Sequence, residues 1–113
     1  MAALGIYLRV VGGVAPGDRG YGHYCPGCRC AHIFWTMLDG KSRWAFDGNI
    51  EKPSFSPSMR SFLPAIPALN EPEVTLCHYI LTAGVINFLP DSSDHSLRGN
   101  VPVPPFPADY KLD

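Results

Sequence analysis

Val74-Thr75-Leu76-Cys77-His78-Tyr79-Ile80-Leu81, then Thr82-Ala83-Gly84, then Val85-Ile86-Asn87-Phe88-Leu89, is the stretch whose reading decides the fold. The first run is rich in β-branched and aromatic residues and carries no breaker, so it reads as a strand. The Thr-Ala-Gly segment places a glycine where a tight turn wants positive φ, and Val85 to Leu89 returns as the hairpin partner. A hairpin at this position makes antiparallel β-structure the organising principle of the chain.

Working outward, the same signals recur on both sides. Upstream, Lys52 to Ser58 (K-P-S-F-S-P-S) must be extended or turn-like, because each residue before a proline is pushed out of the α region. Residues 64–73, with Pro64, Pro67 and Pro72, read as an irregular excursion with room for a single helical turn. Earlier still, His32 to Met37 reads as a strand, Asp39-Gly40 as a turn, and Arg43 to Phe46 as the returning arm. Ile6 to Val11 reads as the first strand, closed by Gly12-Gly13 and the polar loop from Pro16 to Gly20. Downstream, Asp91 to Asp94 is a polar loop leading to His95. The proline-rich tail from Val101 to Pro107 is expected to lie extended over the surface or at a sheet edge. Twelve prolines and eleven glycines leave little room for long helices. The expectation is a mainly β, small single domain over residues 1–113, antiparallel, with a zinc knuckle and little helix.

Composition narrows the function classes. Two Trp, five Tyr and six Phe in 113 residues, with 46% of residues hydrophobic, argue for a packed core and against disorder. A formal charge of −1 offers no general attraction to nucleic acid or to an anionic membrane, so neither is an expected partner. No run is long enough to cross a bilayer as a helix. The segment from Met1 to Arg9 lacks a charged start followed by a long apolar run, so no secretory leader is expected and the protein reads as cytosolic. Thiols stay reduced there, which favours metal over disulfide for four cysteines.

Cys25-Pro26-Gly27-Cys28 is the spacing that carries this metal reading. Two cysteines around a Pro-Gly pair form a knuckle whose sulfurs point the same way and suit tetrahedral zinc. The plainer reading is two reduced cysteines flanking an ordinary turn. The expected shell is Cys25, Cys28, His32 and Cys77, a closed set and therefore structural. His95 is the main competitor for the place of His32. Cys30 is expected to be a bystander able to swap in, and His23 a solvated loop residue. Strand alternation puts Cys77 and His78 on opposite faces, so both should not reach one ion.

That shell leaves other groups free. His78 and His95, the carboxylates of Asp91 and Asp94, and the hydroxyls of Ser58 and Ser56 are the parts of an activated serine nucleophile. The plainer reading is that a serine beside proline forms a turn and a strand histidine simply fills its site. A third arrangement would hold catalytic zinc on His32, His78 and His95 with Glu51 or an aspartate as base, but no H-E-x-x-H pattern supports it.

The order of these blocks has a family likeness. C-P-G-C, then H, then W-x-F-x-G-N-x-x-K-P-S-F-S-P-S, then C-H-Y-I-L-T-x-G-V-I-x-F-L, then D…H-x-L-x-G and V-P-V-P resembles a family of small bacterial and phage proteins. It is the one catalogued as domain of unknown function six-five-two-seven. The likeness covers residues 22–104, and its matching positions are Cys25, Cys28, His32, Pro53, Phe55, Pro57, Ser58, Cys77, His78, Gly84, Asp91, His95 and Gly99. Members stand beside genes for ubiquitin-like proteins and their activating enzymes, which implies processing or removal of a ubiquitin-like tail. Two departures stand out: residues 64–73 look like an insertion, and the loop from Asp91 to His95 is one residue longer than the family's Asp-x-x-His.

The resulting expectation is a peptidase-like hydrolase of a peptide or isopeptide bond. Ser58 is the expected nucleophile, His78 or His95 the general base, and Asp91 the orienting carboxylate. The partner would be a protein or peptide substrate, with a ubiquitin-like protein implied by the likeness. The competing expectation is a non-catalytic zinc module in which Trp35, Trp44, Phe55 and Tyr79 form a core and a recognition surface.

Overall fold

In the strand that carries Cys77, side chains alternate between interior and solvent, and that alternation sets the architecture. Cys77, Tyr79 and Leu81 are buried, whereas Ile80 and Thr82 are exposed, as a half-buried antiparallel strand requires. The computed structural model describes residues 2–108 and Tyr110, and the other residues of the expected span 1–113 lie outside the described ones. The described strands are β1 (Ala2–Leu4), β2 (Leu8–Val11), β3 (Arg19–Cys25), β4 (Cys30–Leu38) and β5 (Lys41–Ser42) in the first half. They continue as β6 (Ala45–Phe46), β7 (Phe55–Leu63), β8 (Val74–Thr82), β9 (Val85–Phe88) and β10 (Gly99–Pro102).

Each half of the chain makes one five-stranded meander. Strands β1 to β5 lie in sequence order in one sheet and β6 to β10 in the other, with every pairing antiparallel. The only helical piece among the described residues is a 3-10 turn at Pro67–Leu69. The fold is therefore antiparallel β with little helix, as the sequence leads one to expect.

Aromatic rings tie the two sheets together. Phe34 of β4 stacks on Phe55 of β7 at 4.3 Å and 5°, and Phe55 stacks on Phe46 at 4.7 Å and 10°. Tyr79 of β8 meets Phe34 edge-on at 6.0 Å. Leu8, Leu81 and Ile86 are fully buried around them. Such rings bury large apolar areas and dominate the energy of a small core.

Several elements differ from the sequence expectation. The returning arm at Arg43 to Phe46 is divided between sheets. Arg43 and Trp44 still donate to the carbonyls of Thr36 and Trp35 on β4, but Ala45 and Phe46 pair with Ser56 and Phe55 of β7. The chain changes sheets there, a handover that local pattern cannot reveal. The strand expected from Ile6 begins only at Leu8, because residues 5–7 form a turn, and the short strand β1, which the sequence does not announce, precedes that turn. Strand β3 is not announced by the sequence, where Gly20 ends the polar loop expected from Pro16. At Gly20, however, a Cβ would come within 2.7–3.0 Å of Ile33, Trp35 and Val11, so glycine answers crowding from the neighbouring strands. The tail does reach a sheet edge, where β10 pairs with β9.

Strand β7 is irregular where it matters. Phe55 pairs with Leu81 and Met59 with Tyr79, so Ser56, Pro57 and Ser58 face the single intervening residue, Ile80. Extra residues of this kind re-aim a side chain and are common beside functional sites.

Candidate active site and metal centre

Two clusters use opposite faces of β8. On the inner face, Cys77 is fully buried and joins the knuckle that ends β3. The knuckle is shaped by local geometry: the Cys28 amide donates to Cys25 Sγ at 3.4 Å, and the Arg29 amide donates to the Cys25 carbonyl at 2.8 Å. Arg29 sits at positive φ (57°), which turns the chain into β4 with Cys25 opposite Cys30. Donor atoms of Cys25, Cys28, Cys77 and His95 all lie within 4.8 Å of one another.

His95, rather than His32, completes this set. Its Nε2 faces Cys77 Sγ at 3.4 Å, and its ring meets Phe88 edge-on at 4.7 Å. Gly27 makes the approach possible, because a Cβ there would overlap the imidazole. His32 lies outside that set, although its ring, after Cys77, also hydrogen-bonds to Cys25. It lies opposite His23 on β3 and points toward Tyr79, 5.8 Å away between ring centroids, with its Nε2 buried and unpartnered. His23 is likewise no solvated loop residue. It is fully buried, its Nε2 lies 2.5 Å from the Tyr79 hydroxyl, and burial holds its pKa down to about 4. Cys30 stays outside the four.

The electrostatics of the thiols fit a cation. Hydrogen bonding from Cys77 draws the Cys25 thiol well below its usual range, against the effect of burial. Cys28 is pushed up by burial and by the Cys25 charge. Cys77 is pushed up by its hydrogen bond to Cys25 and by burial. One negative sulfur thus suppresses ionisation of the other two, and a divalent ion would relieve that repulsion. Three sulfurs and one imidazole form a metal-binding set of the kind used in closed tetrahedral sites.

On the outer face, His78 joins two groups from different elements. Its Nδ1 lies 3.0 and 3.1 Å from the two carboxylate oxygens of Asp91, and its Nε2 lies 3.3 Å from Ser58 Oγ. The bulge in β7 presents Ser58, β8 presents His78, and the loop after β9 presents Asp91. The hydrogen bond from His78 lowers the Asp91 pKa. Of the two carboxylates in this loop, Asp91 touches His78, whereas Asp94 lies among the cysteines, acting on Cys28 and Cys30. His95 stands with the sulfurs and is not beside Ser58. Ser56 is exposed and pairs with Ala45. The trio His32, His78 and His95 is therefore split among the core, the outer face and the sulfur cluster, and offers no three-histidine metal site.

Sequence reasoning missed two residues that build this arrangement. Ser92, 3% exposed, accepts the His78 amide at 2.9 Å and donates to the His78 carbonyl at 3.3 Å. Arg98 donates to the carbonyls of Ser92 and His95 at 2.6 and 3.0 Å. Together with Ser93 and Asp94 amides bonded to the Leu76 carbonyl, they fasten the loop from Asp91 to Arg98 to β8. The only sequence signal was a polar D-S-S-D run, which is ordinary for a loop.

A family model described as "Bacterial ubiquitination-like system serine protease (BubE)" matches residues 7–89. No curated protein and no solved structure matches the chain. The match corrects the likeness drawn from motif order: the family is a described serine-protease family, not the domain of unknown function. It also sets aside the non-catalytic module, since a serine protease is a peptidase-type hydrolase acting on a protein or peptide. No helix among the described residues is long and apolar enough to cross a membrane.

Proposed function

We propose, because this chain belongs to the BubE family of bacterial ubiquitination-like system serine proteases, that Ser58, His78 and Asp91 are its catalytic groups. We further assign zinc to Cys25, Cys28, Cys77 and His95, and the C-terminal tail of a ubiquitin-like protein as substrate. The observation that carries the catalytic assignment is the His78 ring lying between Ser58 Oγ and the Asp91 carboxylate.

The chemistry follows from that order of atoms. With Nδ1–H donated to Asp91, the lone pair of Nε2 faces the Ser58 hydroxyl and accepts its proton as Oγ attacks the scissile carbonyl carbon. The imidazolium is then stabilised by the adjacent carboxylate. On collapse of the tetrahedral adduct, the C–N bond breaks and Nε2–H returns the proton to the departing amine. Water, deprotonated by the same nitrogen, attacks the acyl-serine ester and releases the acid and free Ser58.

Zinc held by Cys25, Cys28, Cys77 and His95 would contribute structure, as four protein ligands do in closed sites. Its holders are informative: Cys77 is bonded to His78, and His95 lies on the loop that begins with Asp91. Fastening those two residues fixes the base and its carboxylate relative to each other. Four reduced thiols accord with a cytoplasmic setting.

The test uses a ubiquitin-like protein bearing a short C-terminal extension, with cleavage read by intact mass. Ser58→Ala should lose about three orders of magnitude or more in rate while melting like the wild type. Equal cleavage by both proteins removes Ser58 from the mechanism.

A further inference from the structure

The geometry points to the hollow formed by Arg43, Trp44 and Pro57 as the subsite for a large apolar side chain of the substrate residue next to the scissile bond. Trp44 is the residue that sets this preference. The inference rests on the proposed nucleophile and extends it to substrate choice.

The hollow measures about 240 Å³ and is lined by those three residues. At about 30 Å³ of liquid volume per water, it has room for roughly eight waters or one branched or aromatic side chain. It adjoins the nucleophile through the backbone on both sides. Pro57 is bonded to Ser58, and Trp44 Nε1 donates to the Ser58 carbonyl at 3.2 Å. The indole is also held edge-on against Phe34, with centroids 5.7 Å apart. The indole and the pyrrolidine ring give the hollow an apolar wall.

Reach decides which substrate residue enters. For attack, the carbonyl carbon must come within about 3–3.5 Å of Ser58 Oγ. Consecutive Cα atoms are about 3.8 Å apart, so the side chains beside that carbonyl are the ones that come nearest the hollow. Its apolar walls favour Leu, Met or Phe there over Gly or Ala. Arg43 at the rim disfavours Lys or Arg and favours an acidic neighbour. The position of the chain crossover explains why this feature is there: Arg43 and Trp44 leave β4 just before the chain joins β7, which places the indole beside the β7 bulge.

The experiment measures kcat/KM on quenched fluorescent peptides that differ only at the two positions flanking the cleaved bond. For the wild type, one position should favour Leu over Gly by about tenfold or more. In Trp44→Ala, and in Trp44→Leu should the first fail to fold, that Leu-to-Gly ratio should fall toward one. A merely structural role for Trp44 would lower both substrates together and leave the ratio intact. The same labelled peptides are also titrated into Ser58→Ala by fluorescence anisotropy. If no peptide is cleaved, the catalytic reading fails, but Leu-over-Gly binding that Trp44→Ala abolishes still supports the subsite. An unchanged ratio in a folded Trp44 variant, or no preference at either position in both assays, overturns it.

Discussion

Removing one oxygen from the core should weaken the whole domain. Tyr79 and His23 are both fully buried, and the Tyr79 hydroxyl at 2.5 Å is the described hydrogen-bond partner of His23 Nε2. The other ring nitrogen, Nδ1, already has no partner. In Tyr79→Phe the core keeps its shape, but His23 Nε2 loses the hydroxyl that it faces. The expected loss is the desolvation penalty of a buried unsatisfied group, about 1–3 kcal/mol. With a urea m value of about 2 kcal/mol/M for a domain of this size, a loss of about 2 kcal/mol lowers the unfolding midpoint by about 1 M. Unfolding followed by circular dichroism, with metal and reductant held constant, measures it. Replacing both partners, as His23→Leu with Tyr79→Phe, removes the orphaned nitrogens and should cost less than the sum of the single changes by about 1 kcal/mol or more. A midpoint within about 0.2 M of wild type for Tyr79→Phe, or strict additivity in the pair, refutes the reasoning.

Cys28→Ala, or chelation of the wild type, should destabilise the domain by about 3 kcal/mol or more, which for this size lowers melting by about 15 °C or more; identical melting with and without chelator counts against the metal clip. Gly27→Ala places a methyl where His95 must sit, so metal affinity measured against a chromophoric chelator should fall at least about tenfold, and equal affinity would show that His95 does not bind. Asp91 has its carboxyl pKa lowered first by the hydrogen bond from His78. The pair's contribution is therefore full above the ordinary carboxylate value of about 3.9 and is lost as pH falls through the lower folded value. At pH 8, where that contribution is full, Asp91→Asn should cleave at least about a hundredfold more slowly than the wild type, and an equal rate would contradict the assignment.

The legible parts of this chain are those written in local pattern. The hairpin from Val74 to Phe88 follows from alternation and turn chemistry, and the structure adds only that Ala83 as well as Gly84 takes positive φ. The knuckle follows from C-P-G-C. The same alternation separates Cys77 from His78, which the strand places inside and outside. Illegible parts depend on where a loop or strand lands. Nothing near His95 or His32 tells which imidazole completes the close set of sulfurs, because the answer lies in the fastening of the loop by Ser92 and Arg98. Nothing in K-P-S-F-S-P-S announces a strand with a bulge rather than a turn, since prolines obscure pairing supplied by β8. Gly20 of β3 misleads for a similar reason: crowding from Ile33 and Trp35 is a tertiary fact.

Strand β8 carries a sulfur inward and an imidazole outward at neighbouring positions, and this makes it intolerant of changes in length. Substitution at Val74 or Ile80, both exposed, leaves the two faces as they are. Deleting or inserting one residue within β8 ahead of Cys77 turns the rest of the strand over, so that the sulfur would meet solvent and the imidazole the core, and both clusters would be lost together. Natural variants of this protein should therefore differ in length at the turn spanning residues 64–73, where added residues go to solvent, and keep β8 free of insertions and deletions.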